Sequence, residues 1–281
     1  MSPRTVVVTG ASTGIGRAIA RAAHRRGWRV LGTVRRAVDA TSLEGEGIAA
    51  AILDVTDPTT LNAGCAQILA WCEGRLDALV HNAGTAYPGP FALLPADDLR
   101  AQLEVNVIGP QQLTLRLYEA IRAAHGHVLF ISSDSVSQPP PMLGAYAASK
   151  RALEALADSF AIEALDDGVT VSIVRPGPYA TAIWGTSIPR GEAHTAQPGA
   201  ERFQRFAEAV RSLATDRPMG DPDTLAVDVV RQLERRRSRW ILTRPWASWF
   251  TSAIVQRLPR RLYHRLVRAV VARHEVRETK A

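Results

Sequence analysis

The stretch Gly144–Ala152, GAYAASKRA, puts Tyr146 and Lys150 at i and i+4, on one face of a helix. Lysine is scarce here, since only Lys150 and Lys280 occur in a chain otherwise supplied with arginine. An unperturbed tyrosine titrates at about 10, too high for an efficient base at neutral pH. A neighbouring ammonium favours the phenolate, and lowering the pKa by about three units takes roughly 4 kcal/mol of differential stabilisation. The pair reads as an acid/base and the charge that tunes it. Upstream, ISSDSVS (131–137) closes an apolar run with four hydroxyls, on Ser132, Ser133, Ser135 and Ser137. Strand alternation points Ser132 and Ser133 to opposite faces.

A second chemistry lies near the start of the chain. TGASTGIG (9–16) joins an apolar run to a helical pattern. Gly10, Gly14 and Gly16, with Ser12, Thr13 and Ile15 between them, let backbone N–H groups approach a phosphate at a helix N-terminus. The next apolar run ends in Val34, followed by Arg35 and Arg36. NAD sites carry an acidic residue there, whereas guanidinium groups pair with a 2′-phosphate. The expected cofactor is NADP(H) rather than NAD(H). Lysine also suits position 150 because its compact, rotatable head can reach ribose hydroxyls.

The elements that must hold these groups follow from the hydrophobic pattern. Runs at 5–10, 28–34, 48–54, 76–82, 127–133, 169–177 and 239–244 read as seven buried strands. Helical patterns separate them, notably 14–26, 58–71, 96–124 and from Tyr146 towards Asp166. Continuous apolar strands alternating with helices predict a doubly wound α/β fold with a parallel sheet. Residues 185–200, rich in Gly, Pro and polar types, read as a mobile excursion at the ligand edge of that sheet. Asparagine occurs only at Asn62, Asn82 and Asn106. Asn106 falls inside a helical pattern, where it has no propensity advantage.

Together these motifs resemble the short-chain dehydrogenase/reductase family, in its single-domain branch. The match runs over about residues 4–243 and rests on TGASTGIG, Asp54–Val55, HNAG (81–84), Asn106, Ser133, YAASK (146–150) and RPGPYAT (175–181). One departure is His81, where the family commonly has Asn, and it looks structural. The resemblance implies a Rossmann fold of about seven strands. It assigns Ser133 to the substrate oxygen, Tyr146 to proton transfer and Lys150 to its support. It gives Asn106 a locally opened helix whose freed carbonyl holds a relay water. It places Asp54 and Val55 near the adenine, and Asn82, Ala83 and Gly84 along the cofactor. Pro176, Gly177 and Thr181 would border the nicotinamide, Thr181 bonding its carboxamide.

The reaction implied is carbonyl–alcohol interconversion by hydride transfer with NADP(H). Alternatives on the same fold are a dehydratase or epimerase, or a non-catalytic NADP-binding regulator. Apolar segments around Tyr87–Phe91, Pro139–Leu143 and Tyr179–Ile188, with Trp184, suggest a hydrophobic steroid-, retinoid-, polyketide- or lipid-like substrate. The family also implies a homodimer or homotetramer.

Composition sets the remaining bounds. With 281 residues, 46% hydrophobic, the chain can bury a large core without a staple. Cys65 and Cys72 are the only cysteines, and no His/Cys cluster has metal spacing, so no metal is expected. The net charge is +7. That excess sits in the last third without an RNA-binding signature, so no nucleic-acid partner is expected. With no signal-peptide pattern or apolar run of spanning length, the expected location is cytoplasmic. The expected organisation is a catalytic domain over 1–244, with a substrate-loop region at 185–215, and a basic amphipathic helical tail over 245–281. The tail shows Trp246, Trp249, Phe250, Leu262, Leu266, Val267 and Val270 among Arg260, Arg261, Arg265, Arg268 and Arg273. Packing on the domain or an oligomer partner is the preferred reading, with an anionic membrane surface as the alternative.

Overall fold

The computed structural model describes residues 3–197, 199–215, 219–235, 238–255 and 257–278. Seven parallel strands form one sheet: β1 (Thr5–Val8), β2 (Arg29–Val34), β3 (Ala49–Ile52), β4 (Ala78–His81), β5 (His127–Ile131), β6 (Thr170–Pro176) and β7 (Ile241–Arg244). Their spatial order is β3-β2-β1-β4-β5-β6-β7. The order reverses between β1 and β4, and ligands bind at the carboxyl ends beside such a switch point. Most strands stop short of the apolar runs that predicted them. The residues left over, among them Thr9, Gly10, Ser132 and Ser133, form the loops that build the site.

Alternation along β1 divides the core. Val6 and Val8 pack with helices α1 (Gly14–Arg25) and α9 (Pro222–Glu234) on one face, through Ile19, Ala23, Val229 and Val230. Val7 faces the opposite layer, α3 (Pro58–Trp71), α5 (Gly109–Ala124) and α6 (Gly144–Glu163), through Ile68, Leu117 and Leu153. Helix α2 (Ala37–Glu44), short and with little apolar periodicity, was not anticipated in the sequence. Asp57 starts α3 cleanly, accepting N–H bonds from Thr59 (3.1 Å) and Thr60 (3.3 Å) ahead of Pro58 in the first turn.

The predicted helix 96–124 is interrupted. It consists of α4 (Ala96–Leu103), a π-helical turn at Glu104–Ile108, and α5. Pro110 is the physical reason, since it stands at i+4 from Asn106 and has no N–H to give that carbonyl. The Gly109 N–H reaches back to the Glu104 carbonyl instead.

The segment expected to be a mobile excursion is largely helical. It forms α7 (Ile183–Thr195), a 3₁₀ turn at Glu201–Phe203 and α8 (Gln204–Thr215). Tertiary bonds override the Gly and Pro content of α7. Ser187 donates to the Ala86 carbonyl at 2.8 Å, and Arg190 holds Asp98 of α4 with a guanidinium stacked on Tyr87. The His194 ring meets the Pro88 carbonyl at 3.0 Å.

The tail is two helices, α10 (Trp246–Val255) and α11 (Arg260–Glu278). Helix α10 packs on β7 and on the turn after Ser133, while α11 packs on α8. The side chains of Trp246, Trp249, Val270 and Arg273, and residue Lys280, lie outside the described residues. Among the described residues no helix is long and apolar enough to cross a membrane.

Candidate active site

A cavity of about 560 Å³ opens at the carboxyl ends of the strands. The glycine loop walls one end, and Trp184 and Ser187 of α7 the other. Gly10 and Gly14 adopt φ of +64° and +56°, the left-handed region in which glycine carries no Cβ penalty. A Cβ on Gly16 would run into the Gly10 carbonyl and the Asn82 amide, so this glycine packs the helix against its own loop and does not face the cavity. Thr13 leads into α1 without a side-chain cap, and the first turn has no acidic residue. The open N–H groups at this helix end and the lining by Gly10, Ser12, Thr13, Gly14 and Ile15 fit a dinucleotide phosphate.

Thr9 was not singled out in the sequence, yet it holds this cradle. Its hydroxyl accepts N–H bonds from Asn82 and Ala83, each at 2.9 Å. The Asn82 amide donates back to the carbonyls of Thr9 (2.8 Å) and Gly10 (3.2 Å). Asn82 therefore shapes the loop with its side chain. Thr181 lies against Gly14, where an added Cβ would sit 3.2 Å from the threonine Cβ.

Asp54, Val55, Ala83, Gly84, Pro176 and Gly177 also line the cavity. Asp54 accepts from the N–H (2.9 Å) and hydroxyl (2.8 Å) of Thr56. Of the two arginines after β2, Arg35 lines the rim and is exposed. Arg36 turns away and pairs with Asp39 through bonds of 2.7 and 2.8 Å. It stands off the cavity, with that carboxylate, three residues on, taking its Nε and one terminal nitrogen.

Ser133, Tyr146 and Lys150 line the same cavity. Ser133, two residues past the end of β5, has its hydroxyl bonded to the Tyr146 phenol. The Ser135 N–H donates to the same oxygen at 3.2 Å. Burial pushes Tyr146 up to about 12; the Ser133 bond opposes this rise and the Asp134 charge adds to it. Lys150 is buried, and its Nζ donates to the Ile131 carbonyl at 2.9 Å, 6.0 Å from the Tyr146 ring centre. Burial brings it down to about 8, against the pull of Glu154. Glu154, one turn further along α6, accepts from the Ser132 hydroxyl (2.6 Å) and from Arg175 (2.8 and 2.6 Å). Ser132 and Ser133 thus serve different partners.

Asn106 is buried in the middle of the π-helical turn. Its amide donates to the Thr85 carbonyl and the Ser149 hydroxyl and accepts from the Thr85 N–H, all at 2.9 Å. The side chain is thereby satisfied, and the backbone carbonyl is the group that the turn and Pro110 set apart. His81 is buried and stacks on Phe130 at 4.9 Å, with its Nε2 2.8 Å from Thr114. Burial, with Lys150 nearby, drives it down to about 3, so it is a neutral packing residue.

Tyr87, Pro140, Leu143, Tyr179, Ile183 and Trp184 give the cavity an apolar and aromatic part, beside polar Thr85 and Gln138. Phe91, expected near the substrate, is 99% exposed and does not contribute. Asp134 was also missed. It lines the cavity beside Ser133, accepts from Ser248 of α10, and is raised to about 6 by burial.

The family model described as short chain dehydrogenase matches residues 4–190. The chain belongs to the short-chain dehydrogenases. As such it is an oxidoreductase that acts on CH–OH and C=O groups with a nicotinamide cofactor. This short-chain dehydrogenase is 36% identical over 216 residues to an NADPH-dependent 3-dehydrocapnine reductase of Ornithobacterium rhinotracheale, covering 74% of this chain and 76% of that enzyme. A short-chain dehydrogenase structure from Streptomyces avermitilis aligns over all of both chains, with a TM-score of 0.75 and 29% identity. An alcohol dehydrogenase from Thermococcus sibiricus, solved with 5-hydroxy-NADP, aligns over 86% of this chain and 96% of its own, with a TM-score of 0.69 and 25% identity.

Proposed function

We propose that this short-chain dehydrogenase reduces a ketone or aldehyde on a hydrophobic molecule, using NADPH. The observation that carries this reading is the Ser133–Tyr146 hydrogen bond, with Lys150 one turn along α6, in the same cavity that the glycine loop lines. A nicotinamide bound along Gly10–Gly16, Asn82–Gly84 and Pro176–Thr181 would supply the hydride for the carbonyl carbon. Ser133 then orients the carbonyl oxygen. Tyr146, held as the neutral phenol by burial, gives that oxygen its proton. General acid catalysis of this kind contributes about 10²–10⁴-fold. The Lys150 ammonium stabilises the phenolate that remains, and the set-apart carbonyl of Asn106 offers a water an acceptor on the route that restores the proton.

Arg35 at the rim and the lack of a carboxylate at the end of β2, where Val34 stands, favour the 2′-phosphate of NADP(H) over NAD(H). The NADPH dependence in the name of the Ornithobacterium relative supports the same choice. The walls around Tyr87, Leu143, Ile183 and Trp184 suit a steroid-, retinoid-, polyketide- or lipid-like carbonyl compound. The test is NADPH and NADH oxidation against a panel of hydrophobic ketones and aldehydes, with Tyr146→Phe beside the wild type. Turnover with NADPH that drops at least about 100-fold in Tyr146→Phe supports the mechanism. Wild-type rates in that variant would overturn it, and a clear NADH preference would overturn the reading of Arg35.

A further inference from the structure

Helices α8 and α11 enclose a second cavity, of about 300 Å³, which shares no lining residue with the first. Arg205 and Phe206 of α8 face Arg265, Arg268, Ala269 and Val271 of α11 across it. Val271 is buried and forms an apolar base, while Arg205 lies 5.0 Å from the Phe206 ring centre. Among the described residues none of the three guanidinium groups forms an ion pair. The acid that joins α7 to α8, Glu192, is taken by Arg211. On the α11 side nearby sequence does not neutralise them either, because residues 235–274 contain eleven arginines and no Asp or Glu, although Glu201 and Glu208 flank Arg205. These three exposed like charges around one small space make a favourable place for a shared anion.

The surface beside this cavity is apolar as well as basic. Leu262 and Leu266, at i and i+4 on α11, are 44% and 49% exposed next to Arg261 and Arg265. A second copy of the chain meeting this face by two-fold symmetry would set arginines against their own counterparts. A nucleic acid would use the arginines and leave the leucines in water. A bilayer engages both, since Arg pairs bidentately with lipid phosphate and an apolar helix stripe enters the headgroup boundary.

We propose that the α8–α11 arginine cavity seats a phosphate headgroup of an anionic bilayer, with α11 lying on the membrane surface. The binding stands independently of the reductase reading. Its use rests on that reading: α8 packs on α7, which walls the substrate cavity, so the docked enzyme takes a hydrophobic carbonyl compound directly from lipid.

Full-length protein is floated with vesicles of phosphatidylcholine, or of phosphatidylcholine with about 30% phosphatidylglycerol, the anionic lipid that basic surfaces recognise. Binding is expected to the anionic vesicles only, and to weaken as salt rises. The Arg205→Gln/Arg265→Gln/Arg268→Gln variant is expected to lose affinity on the order of one hundred-fold. Leu262→Ser/Leu266→Ser is expected to bind more weakly at equal net charge. Both variants should reduce a water-soluble ketone at the wild-type rate, which shows them folded and keeps this test apart from that of the chemistry. Equal binding by the triple variant, or no preference for anionic vesicles, overturns the proposal. So does competition by millimolar inorganic phosphate that abolishes vesicle binding at constant ionic strength, which would mark a site for a free anion. A change of oligomeric mass in the triple variant without loss of vesicle binding overturns it in favour of a second copy.

Discussion

Tyr146 and Lys150 are moved by burial in opposite directions, the phenol up to about 12 and the ammonium down to about 8. Both shifts favour neutral forms, as desolvation requires. A protonated phenol is the state needed to give a proton away in the proposed reduction. Above about pH 8 the folded protein sheds the Lys150 proton, whereas an unfolded lysine keeps it to about 10.4. Stability therefore rises with pH between those values as the cost of the buried charge is relieved, while the charge that supports Tyr146 disappears. Reductase activity is expected to fall on the alkaline side of about pH 8. In Glu154→Gln that limb should move to lower pH, because Glu154 is the group that raises Lys150; pH–rate profiles of kcat/KM for both proteins check this. Ser133, Tyr146 and Lys150 could be read from the sequence because they follow one another within a short span. Thr9 could not, since its partners Asn82 and Ala83 lie 73 and 74 residues away and nothing near Thr9 marks them.

Among the elements, α7 departs most from expectation. Gly185, Pro189 and Gly191 all count against a helix. Ser187, Arg190 and His194 nevertheless tie it to the loop after β4 and to α4, and Gly191 lets it approach Pro88. Those partners are about a hundred residues away in sequence, beyond the reach of local pattern. Because α7 carries Ile183 and Trp184 into the cavity, loosening it should weaken substrate binding more than chemistry. For Arg190→Gln the expected outcome is a KM raised about fivefold at unchanged kcat, the scale of one half-exposed ion pair. Steady-state kinetics with one ketone measure it. The break between α4 and α5 had a visible sign, Pro110 four residues after Asn106, although the pattern of apolar residues continues through it.

At the scale of the molecule, the alternation of strands and helices was enough to specify the sheet, because buried parallel strands need apolar residues on both faces. The place of the tail was not legible, since its packing and polar contacts are made to residues far away in sequence. Ser248 of α10 donates to Asp134, next to Ser133, and a side chain on Gly177 would collide with Ser248. Ser248→Ala removes a donor from a buried carboxylate and should cost about 1–3 kcal/mol. Thermal unfolding at neutral pH should show Tm lower by roughly 2–4 °C per kcal/mol lost. For Asp134, raised to about 6, the sign is the reverse of an ordinary ion-paired acid. The folded protein holds this proton after the unfolded chain has released it, so its contribution falls as pH rises from about 4 towards 6. The whole-chain bias towards arginine has one further consequence. An amine-directed reagent such as a succinimidyl ester finds only Lys150, Lys280 and the terminal amine, because guanidinium groups do not react with it. Near pH 8 about half of Lys150 is the free amine, and it lines the cavity proposed to hold the cofactor. Its acylation, followed by mass spectrometry of one tryptic peptide, should be suppressed by NADPH. The chain thus carries its own chemical gauge of cofactor occupancy.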